Sequence, residues 1–553
     1  MSVAVSKIKP ELVLDKRLGF TSQNEFGVIK SGQTNSFKVL PTQNYSTSNI
    51  TFNAQPPSPG IAISREIMVK MYWRVDFVGT AGALNGGTLL YPGLYDAPRA
   101  FPLAQVTQSI QATINNASVA QNNYQVINAF MRCNVSDDER RRDFSLTPSF
   151  LDQNQNYDDV YSTPVALGIA NDPLQTLGQN SYEDPRGGWD LHGAGGSGTA
   201  ITNPVVGVGN AATATVYFET AEPLLLSPFL SGSDNYTAFI GVQTLTLQLN
   251  LTNLARVWSH NGDNANAGTI TSVTVSFAAA PELLLNFITP SPLQDIPLMN
   301  VYPYNTVDIY PQDLAVNVAP LASTTINSQN IQFNYIPRRI IVFVRRSDAT
   351  STFETTDTFF RINNVSINFD NISGVLSGAN TQQLYTMSKN SGSNLSWSEW
   401  NTTVGSVLIL DIGHGIMLQD ATEAPSLTTT KQFQIQLNVT NLNTTKTITP
   451  SLYICTIADG IITVENGTAI LQNTILSRED ILNASEESPR EWIKSSNWFG
   501  GGMVKKLNAF MKKSKKMEGG ALIGGASVGG ASVGGALIGG RGVSKGSLAK
   551  RLM

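Results

Sequence analysis

The sequence predicts an all-β fold of two consecutive strand-rich domains with few helices. The first observation is length, because 553 residues exceed what one growing hydrophobic core fills. The second is composition, since 41% of the residues are hydrophobic but only 14% are charged. Asn, Thr, Ser and Gln fill the polar positions, and the outward faces of stacked antiparallel sheets accept Thr and Asn readily. The third is a two-residue period of hydrophobicity.

Hydrophobic and polar residues alternate in several segments, which is the pattern of a half-buried strand. In residues 67–77 one face would hold Ile67, Val69, Met71, Trp73, Val75 and Phe77. The pattern recurs in TLTLQLNLTN, VTVSF, NVSINFDN and KQFQIQLNVTN. RRIIVFVRR, residues 338–346, is continuously apolar instead and predicts a strand covered on both faces. Strands with turn-rich spacers are typical of sandwiches and barrels.

A Pro-rich stretch, Asn286–Pro311, marks the expected boundary between two β domains. Each half has enough strands for an eight-stranded antiparallel jelly roll. The predicted divisions are an N-terminal arm 1–27, a first jelly roll 28–288, a connection 289–311, a second jelly roll 312–466, a closing segment 467–499 and a Gly-rich basic tail 500–553. The long polar loops 137–206 and 379–405 are expected to be interface material that covers or locks sheet edges across subunits.

The charge is unevenly distributed along the chain. The net charge is −4, yet Met503–Met553 holds ten Lys or Arg against Glu518 alone, which leaves an acidic body. A basic terminus favours contact with DNA or a membrane surface, and a solvated charge run is the alternative. Residues 503–517 predict an amphipathic helix whose polar side carries Lys505, Lys506, Lys512, Lys513, Lys515 and Lys516.

The cysteines and the N-terminal sequence indicate an intracellular product. Cys133 and Cys455 are too few for a disulfide framework. The first 20 residues contain no long apolar segment, so no secretory signal is expected. No run of about 18 apolar residues is present to span a bilayer.

No catalytic constellation is evident in the sequence. His192, His260 and His414 are the only histidines, and none has metal-ligand spacing. The GAGGSG loop lacks the strand, helix and acidic partner of a dinucleotide site. The GXXXXGK motif is also missing, and no serine shows a GXSXG nucleophile elbow, since the two GASVG strings lie in the Gly-rich repeat of the tail. A structural protein without enzymatic activity or cofactor is therefore the leading hypothesis.

Four segments resemble the double jelly-roll major capsid proteins of virophages, polinton-like viruses and adenovirus-related double-stranded DNA viruses. They are EPLLLSPFL (222–230), IGVQTLTLQLNLTNLARVWSH (240–260), YIPRRIIVFVRR (335–346) and FFRINNVSINFDNISGVLSG (359–378). The resemblance implies pseudo-hexagonal homotrimers in an icosahedral capsid, assembled inside the host cell. It also implies contacts with penton and minor capsid proteins, a viral cysteine protease, and genomic DNA or an inner membrane.

Gly-Gly pairs punctuate the tail, in GGALIGGASVGGASVGGALIGG at 519–540. The maturation proteases of the resembling viruses favour an aliphatic residue or Met, any residue, then Gly-Gly before the cut. Glycines let an extended peptide enter a narrow cleft without Cβ collisions. The matching positions are Met517, Gly519, Gly520, Ala521, Leu522, Gly524, Gly525, Leu537, Gly539 and Gly540. A flexible linker is the alternative, and the two central Ser-Val units depart from the pattern.

Two other functions are compatible with the sequence. One is a β-sandwich carbohydrate-binding or fibre protein that uses Trp189, Trp397 and Trp400 as exposed aromatics, although core or interface residues are the favoured interpretation of these tryptophans. The other is a single jelly-roll capsid protein with a protruding second domain.

Overall fold

The computed structural model describes residues 34–472 except for several short segments and one long one. The exceptions are 93–94, 100, 123, 131–189, 230–237, 261, 263–265, 291–298, 356–358, 404, 414, 419–422, 444–445 and 466. The predicted N-terminal arm and basic tail lie outside the described residues, as does the closing segment after residue 472.

The first half of the described chain is built almost entirely of strands. They are β1 (Thr34–Pro41), β2 (Asn44–Tyr45), β3 (Asn49–Ala54), β4 (Ala62–Ile63), β5 (Met68–Thr80), β6 (Asp96–Pro98), β7 (Thr107–Ile114), β8 (Ala117–Asn122), β9 (Ala211–Pro223), β10 (Leu245–Leu251), β11 (Trp258–His260), β12 (Thr269–Phe277) and β13 (Glu282–Thr289). Two short helices accompany them, α1 (Pro102–Val106) and α2 (Ile127–Phe130).

These strands form two antiparallel sheets of four lines each. In one sheet, β1 pairs with β13, and β5 lies between β9 on one side and β12 and β13 on the other. Because β12 and β13 follow each other beside β5, they make one line. The other sheet has the order β3, β10, β7, β8. Numbered along the chain, the eight lines pair in the orders 1-8-3-6 and 2-7-4-5, which is a jelly roll.

The second half repeats this arrangement. Its elements are β14 (Met299–Asp313), β15 (Ser323–Asn327), β16 (Ile331–Phe333), β17 (Arg339–Arg346), β18 (Arg361–Phe369), β19 (Ile372–Val375), α3 (Thr381–Asn390), β20 (Val407–Asp411), β21 (Lys431–Thr440), β22 (Pro450–Glu465) and β23 (Thr468–Gln472). The sheets have the orders β14, β22, β17, β20 and β15/β16, β21, β18, β19. These are again 1-8-3-6 and 2-7-4-5, so the predicted double jelly roll is confirmed.

The alternating segments are the strands that line the two cores. In β5, the side chains of Val69, Met71, Trp73, Val75 and Phe77 are buried, while their neighbours are partly or fully exposed. The continuously apolar run is β17, where Ile340–Arg346 is buried throughout. This burial confirms that the strand is covered on both faces.

The structure extends the second jelly roll into the Pro-rich stretch that was expected to be a connection. Residues from Met299 onward belong to β14, which pairs with β22 through Asp313. Within the described residues β14 is an edge strand, which is where a sheet tolerates prolines such as Pro303 and Pro311. The prolines therefore mark the edge of a sheet.

The polar loop 379–405 is partly helical and contributes to the second core. Asn380 caps α3 with Gln383, since each side chain bonds the backbone N–H of the other. Leu384 and Trp400 are fully buried against the second jelly roll. The polar residues that suggested a loop are the solvent-facing side of this helix.

The Gly-rich segment after residue 189 covers the free edge of β9. The backbone of His192 exchanges both hydrogen bonds with Tyr217, and Thr202 does the same with Thr215. A covered edge cannot pair with a foreign strand. The described part of loop 137–206 therefore covers a sheet edge of its own chain.

The two jelly rolls are joined through an apolar contact, here called the inter-roll interface. Val126, Ala129 and Phe130 of the first roll pack on the outer face of the second roll's 1-8-3-6 sheet. That face presents Ile341, Phe343, Phe359, Val407, Ile409, Tyr453, Cys455 and Ile457.

We expect the inter-roll interface to contribute strongly to stability. Ile341→Ala, at a fully buried position, should lower the free energy of unfolding by about 2–5 kcal/mol, because it leaves a cavity between the rolls. The matched control Ile470→Ala, at an exposed position, should change it by less than about 1 kcal/mol. Urea denaturation followed by tryptophan fluorescence measures both, and equal effects of the two changes would contradict this role.

Candidate functional site

All residues predicted for proteolysis or for DNA or membrane contact lie at 505–540, outside the described residues. Polar chemistry within the described part concentrates instead where the two rolls meet. This polar border of the inter-roll interface is built from side chains that are far apart in sequence.

Three donors of the first roll bind the backbone of one loop of the second, residues 351–355, here called the carbonyl loop. The Asn253 side chain donates to the carbonyl of Ser351 at 3.2 Å, and the His260 backbone N–H donates to Phe353 at 3.0 Å. The guanidinium of Arg99, fully buried, donates to the carbonyls of Thr352 and Thr355. The loop is thereby fixed against the first roll.

His260 carries a positive charge at this border. Its Nδ1 lies 2.8 Å from the Asp96 carboxylate and its Nε2 lies 2.9 Å from the carbonyl oxygen of Gly268. Both partners only accept hydrogen bonds, so both ring nitrogens must donate. Burial opposes the charge, but Asp96, then Glu354 and the Gly268 carbonyl, outweigh it and raise the pKa of His260.

Asp96 is the common acceptor of this cluster. Besides His260, it accepts hydrogen bonds from the Trp258 indole N–H at 3.2 Å and from the Tyr91 backbone N–H at 2.8 Å. A fully buried carboxylate with these partners satisfies the rule that buried charges are paired and hydrogen-bonded. The cluster therefore holds together β6, β11 and the carbonyl loop.

A second charged cluster lies on the second roll beside α2. Arg345 pairs with Asp348 at 2.7 Å, and its guanidinium lies 4.7 Å from the centre of the Tyr453 ring. The Tyr453 hydroxyl donates to the same carboxylate at 2.7 Å, and burial together with Asp348 raises the pKa of this tyrosine. The arrangement keeps Arg345 charged beside the apolar interface.

A third contact joins the rolls through aromatic rings. Arg65 lies 4.9 Å from the ring centre of Phe239 and 5.2 Å from that of Tyr302. Burial lowers the pKa of Arg65 to about 10, so it stays charged at neutral pH. The Tyr302 hydroxyl accepts from the Ile240 backbone N–H at 2.6 Å. Tyr302 belongs to β14, so this contact also ties the second roll to the first.

Glu222 is a buried acid inside the first roll. It accepts from the backbone N–H groups of Leu103 at 2.7 Å and Ala104 at 3.0 Å, at the start of α1. Burial raises its pKa to about 7 in spite of these bonds. Its partners are all structural, so it fixes α1 to β9.

The histidines that the structure describes have structural surroundings. His260 lies at the border of the inter-roll interface. The His192 ring nitrogen Nδ1 lies 2.7 Å from the carbonyl oxygen of the neighbouring Gly193, at the edge of β9. His414 lies outside the described residues. In the described part of the chain, no group of three or more His, Cys, Asp or Glu could hold a metal ion. The helices described here are also too short or too polar to cross a membrane.

The two described aromatic residues of those proposed for sugar binding do not form an exposed platform. Trp400 is fully buried, and Trp397 stacks on it at 6.3 Å and is only partly exposed. Trp189 lies outside the described residues. Trp397 and Trp400 therefore serve the second core.

Comparison with known proteins identifies the family. A family model described as Sputnik virophage major capsid protein, first domain, matches residues 6–288, and one described as major capsid protein V20 C-terminal domain matches 304–460. The putative capsid protein V20 of Sputnik virophage is 30% identical over 551 residues, covering 94% of this chain and 89% of that protein. The chain belongs to the virophage major capsid protein family.

Solved structures agree with this assignment for the capsid protein. A chain of the 3.5 Å cryo-EM structure of the Sputnik virophage has a TM-score of 0.73 and 30% identity, covering 87% of this chain and 97% of that one. The mavirus major capsid protein has a TM-score of 0.62 at 14% identity, covering 81% of this chain and 92% of that one. This similarity supports the fold only. The hypothesis of one jelly roll with a protruding domain is wrong, because both halves have the complete strand order.

The charged state of His260 predicts how stability of the capsid protein depends on pH. Since its folded-state pKa is raised, its stabilisation is complete below the unfolded pKa of about 6.5 and is lost as pH rises through the folded value. His260→Gln should lower the free energy of unfolding by roughly 3 kcal/mol at pH 6. In this variant, the part of the stability that His260 loses as pH rises should be absent from the pH profile.

Thermal unfolding midpoints between pH 6 and 9 measure the effect. The control His192→Gln should keep the wild-type pH profile. Glu222 contributes equally to the wild type and to both variants, so the differences between their pH profiles report the contribution of His260. An unchanged pH profile in His260→Gln would contradict the imidazolium assignment.

Proposed function

We propose that this capsid protein forms homotrimers that are the pseudo-hexagonal building blocks of an icosahedral viral shell. The observation that carries the proposal is the repeated 1-8-3-6 and 2-7-4-5 strand order in two joined rolls. Three such chains present six similar domains, which suits a hexagonal lattice with closed threefold symmetry. We propose 28–288 as the first domain and, because β14 starts there, Met299 as the start of the second.

We infer that the protein acts by assembly and has no catalytic activity. Among the described residues, His260 and Asp96 pair with each other, and Glu222 accepts hydrogen bonds from the backbone of α1. Such groups stabilise a rigid body. Penton and minor capsid proteins are its further proposed partners in the virion, where it is placed during assembly inside the host cell.

The trimer is tested by its mass in solution. Sedimentation velocity and light scattering should give three chains per particle, and dilution to nanomolar concentration should not dissociate it, because capsomer contacts of this class bury about 2,000 Å² or more. Negative-stain images should show six-lobed particles. A stable monomer at high concentration would contradict the proposal, and capsid-like particles from the protein expressed alone would strengthen it.

For the tail, we propose a contact function before maturation. The lysines at 505–516 would bind genomic DNA or an inner membrane by charge, and a viral cysteine protease would then cut after a Gly-Gly pair and release the C-terminal residues. Support comes from composition, because the basic residues of the chain concentrate there while the remainder is acidic. Removal of the tail would make maturation irreversible.

Cleavage predicts a defined C-terminus in mature particles. Intact-mass spectrometry of virion-derived protein should find an end at Gly520 or Gly525, because Met517 and Leu522 stand four positions before those cuts. The Gly-Gly pairs at 529–530 and 534–535 are internal controls that come after Ser-Val and should stay uncut. A uniform Met553 terminus in infectious particles would contradict processing.

A further inference from the structure

The outer faces of the two 1-8-3-6 sheets are topologically equivalent but differ in what covers them. In the second roll, the row Ile309, Cys455, Ile341, Ile409 crosses the four strands in register. Cys455, Ile341 and Ile409 are fully buried under Val126, Ala129 and Phe130. The covering segment comes from the first roll, between its fifth strand, β8, and its sixth, β9.

The corresponding face of the first roll is apolar and, in the part of the chain that the structure describes, partly to largely exposed. Its matching row is Val39, Leu284 and Met68, aligned in register across β1, β13 and β5. Val39 is 57% exposed, and Phe37 beside it on the same face is 81% exposed. Within the described residues Phe37 is the most exposed large hydrophobic side chain. We call Phe37, Val39, Leu284 and Met68 the open face.

Pairs of polar side chains border the open face, as polar side chains border the inter-roll interface. Lys70 pairs with Glu219 at 3.0 Å, and the Tyr72 hydroxyl donates to Glu282 at 2.9 Å. An apolar centre with a polar rim is the usual anatomy of a protein contact surface. Large apolar side chains that remain exposed mark such surfaces.

The second roll carries the segment that matches the covering one. Between its fifth strand, β19, and its sixth, β20, lie α3 and the helical turn that ends at Thr403, here called the second covering segment, residues 379–403. It is anchored to its own roll by Leu384 and Trp400. Gln382, Thr386 and Lys389 face solvent, and Trp397 is partly exposed.

We propose that the open face of each chain is covered by the second covering segment of the next copy in the trimer. Within one chain, the segment between the fifth and sixth strands of roll one covers roll two. Repeating that contact from roll two to roll one of the next chain gives a head-to-tail interface, which forms a closed ring when the rotation fits. This inference rests on the proposed trimer and names its contact surfaces.

A photo-cross-linker at the most exposed position tests the contact directly. Phe37 replaced by p-benzoylphenylalanine keeps an aromatic ring on the surface, so the full-length chain should fold and assemble. Irradiation of the assembled protein should give a chain dimer on a denaturing gel, with the cross-link mapped by mass spectrometry to residues 379–403 of the second chain. Sedimentation of the same sample reports whether trimers were present.

The outcomes separate this inference from the proposed trimer. Trimers whose cross-links map to residues 1–33, or to another part of a second chain, overturn the inference and leave the trimer standing. A monomer without chain dimers overturns both.

A paired substitution gives an independent readout. Phe37→Asp with Val39→Asp should raise the concentration needed for trimer formation at least about 100-fold, because burying each large apolar side chain accounts for more than tenfold in an equilibrium constant. Leu321→Asp, at another exposed apolar position, is the control and should assemble as wild type does. Unchanged association of the paired variant, with circular dichroism showing a folded protein, would overturn the inference.

Discussion

The pairing of β14 with β22 is the interaction on which the rest of the structure depends. Fifteen consecutive residue pairs join the two strands, from Met299 opposite Glu465 to Asp313 opposite Ser451. At one end, Tyr302 and Ile462 pack into the core of the first roll, and at the other, Leu452 lies in the core of the second. One ladder therefore contributes side chains to both hydrophobic cores, so a rotation of one roll against the other would pull Tyr302 and Ile462 out of the first core.

This shared ladder explains why charged groups are buried at the border of the inter-roll interface. Because the two rolls are held at a fixed separation, the buried polar groups at the border of the inter-roll interface must find their hydrogen-bond partners within the protein. Arg99 and His260 do so by donating to the carbonyl loop, Gly268 and Asp96. The same rigidity favours a building block of a shell, since a fixed angle between domains lets neighbouring chains meet in one geometry.

Much of the fold could be predicted from the sequence, because strands with one buried face show their periodicity directly. The alternation at 67–77 and the apolar run at 338–346 are strands of the predicted kind. The start of β14 was not predicted, because its prolines indicated a connection. Prolines are compatible with a strand at the edge of a sheet, and the sequence does not show that β14 lies there. The ion pair of Asp96 with His260 could not be predicted, since its partners are 164 residues apart and meet only through the fold. Glu222 likewise looks like any strand-end acid until its burial is known.

We infer that the two rolls form one cooperative body through β14 and β22. Native-state hydrogen exchange of the full-length protein in increasing urea tests it most directly, because it reports the opening free energy of each strand separately. We expect β5, β14, β17 and β22 to exchange together, with one opening free energy and one urea dependence. Exchange of β17 and β22 through a separate, less stable opening, while β5 stays protected, would contradict it.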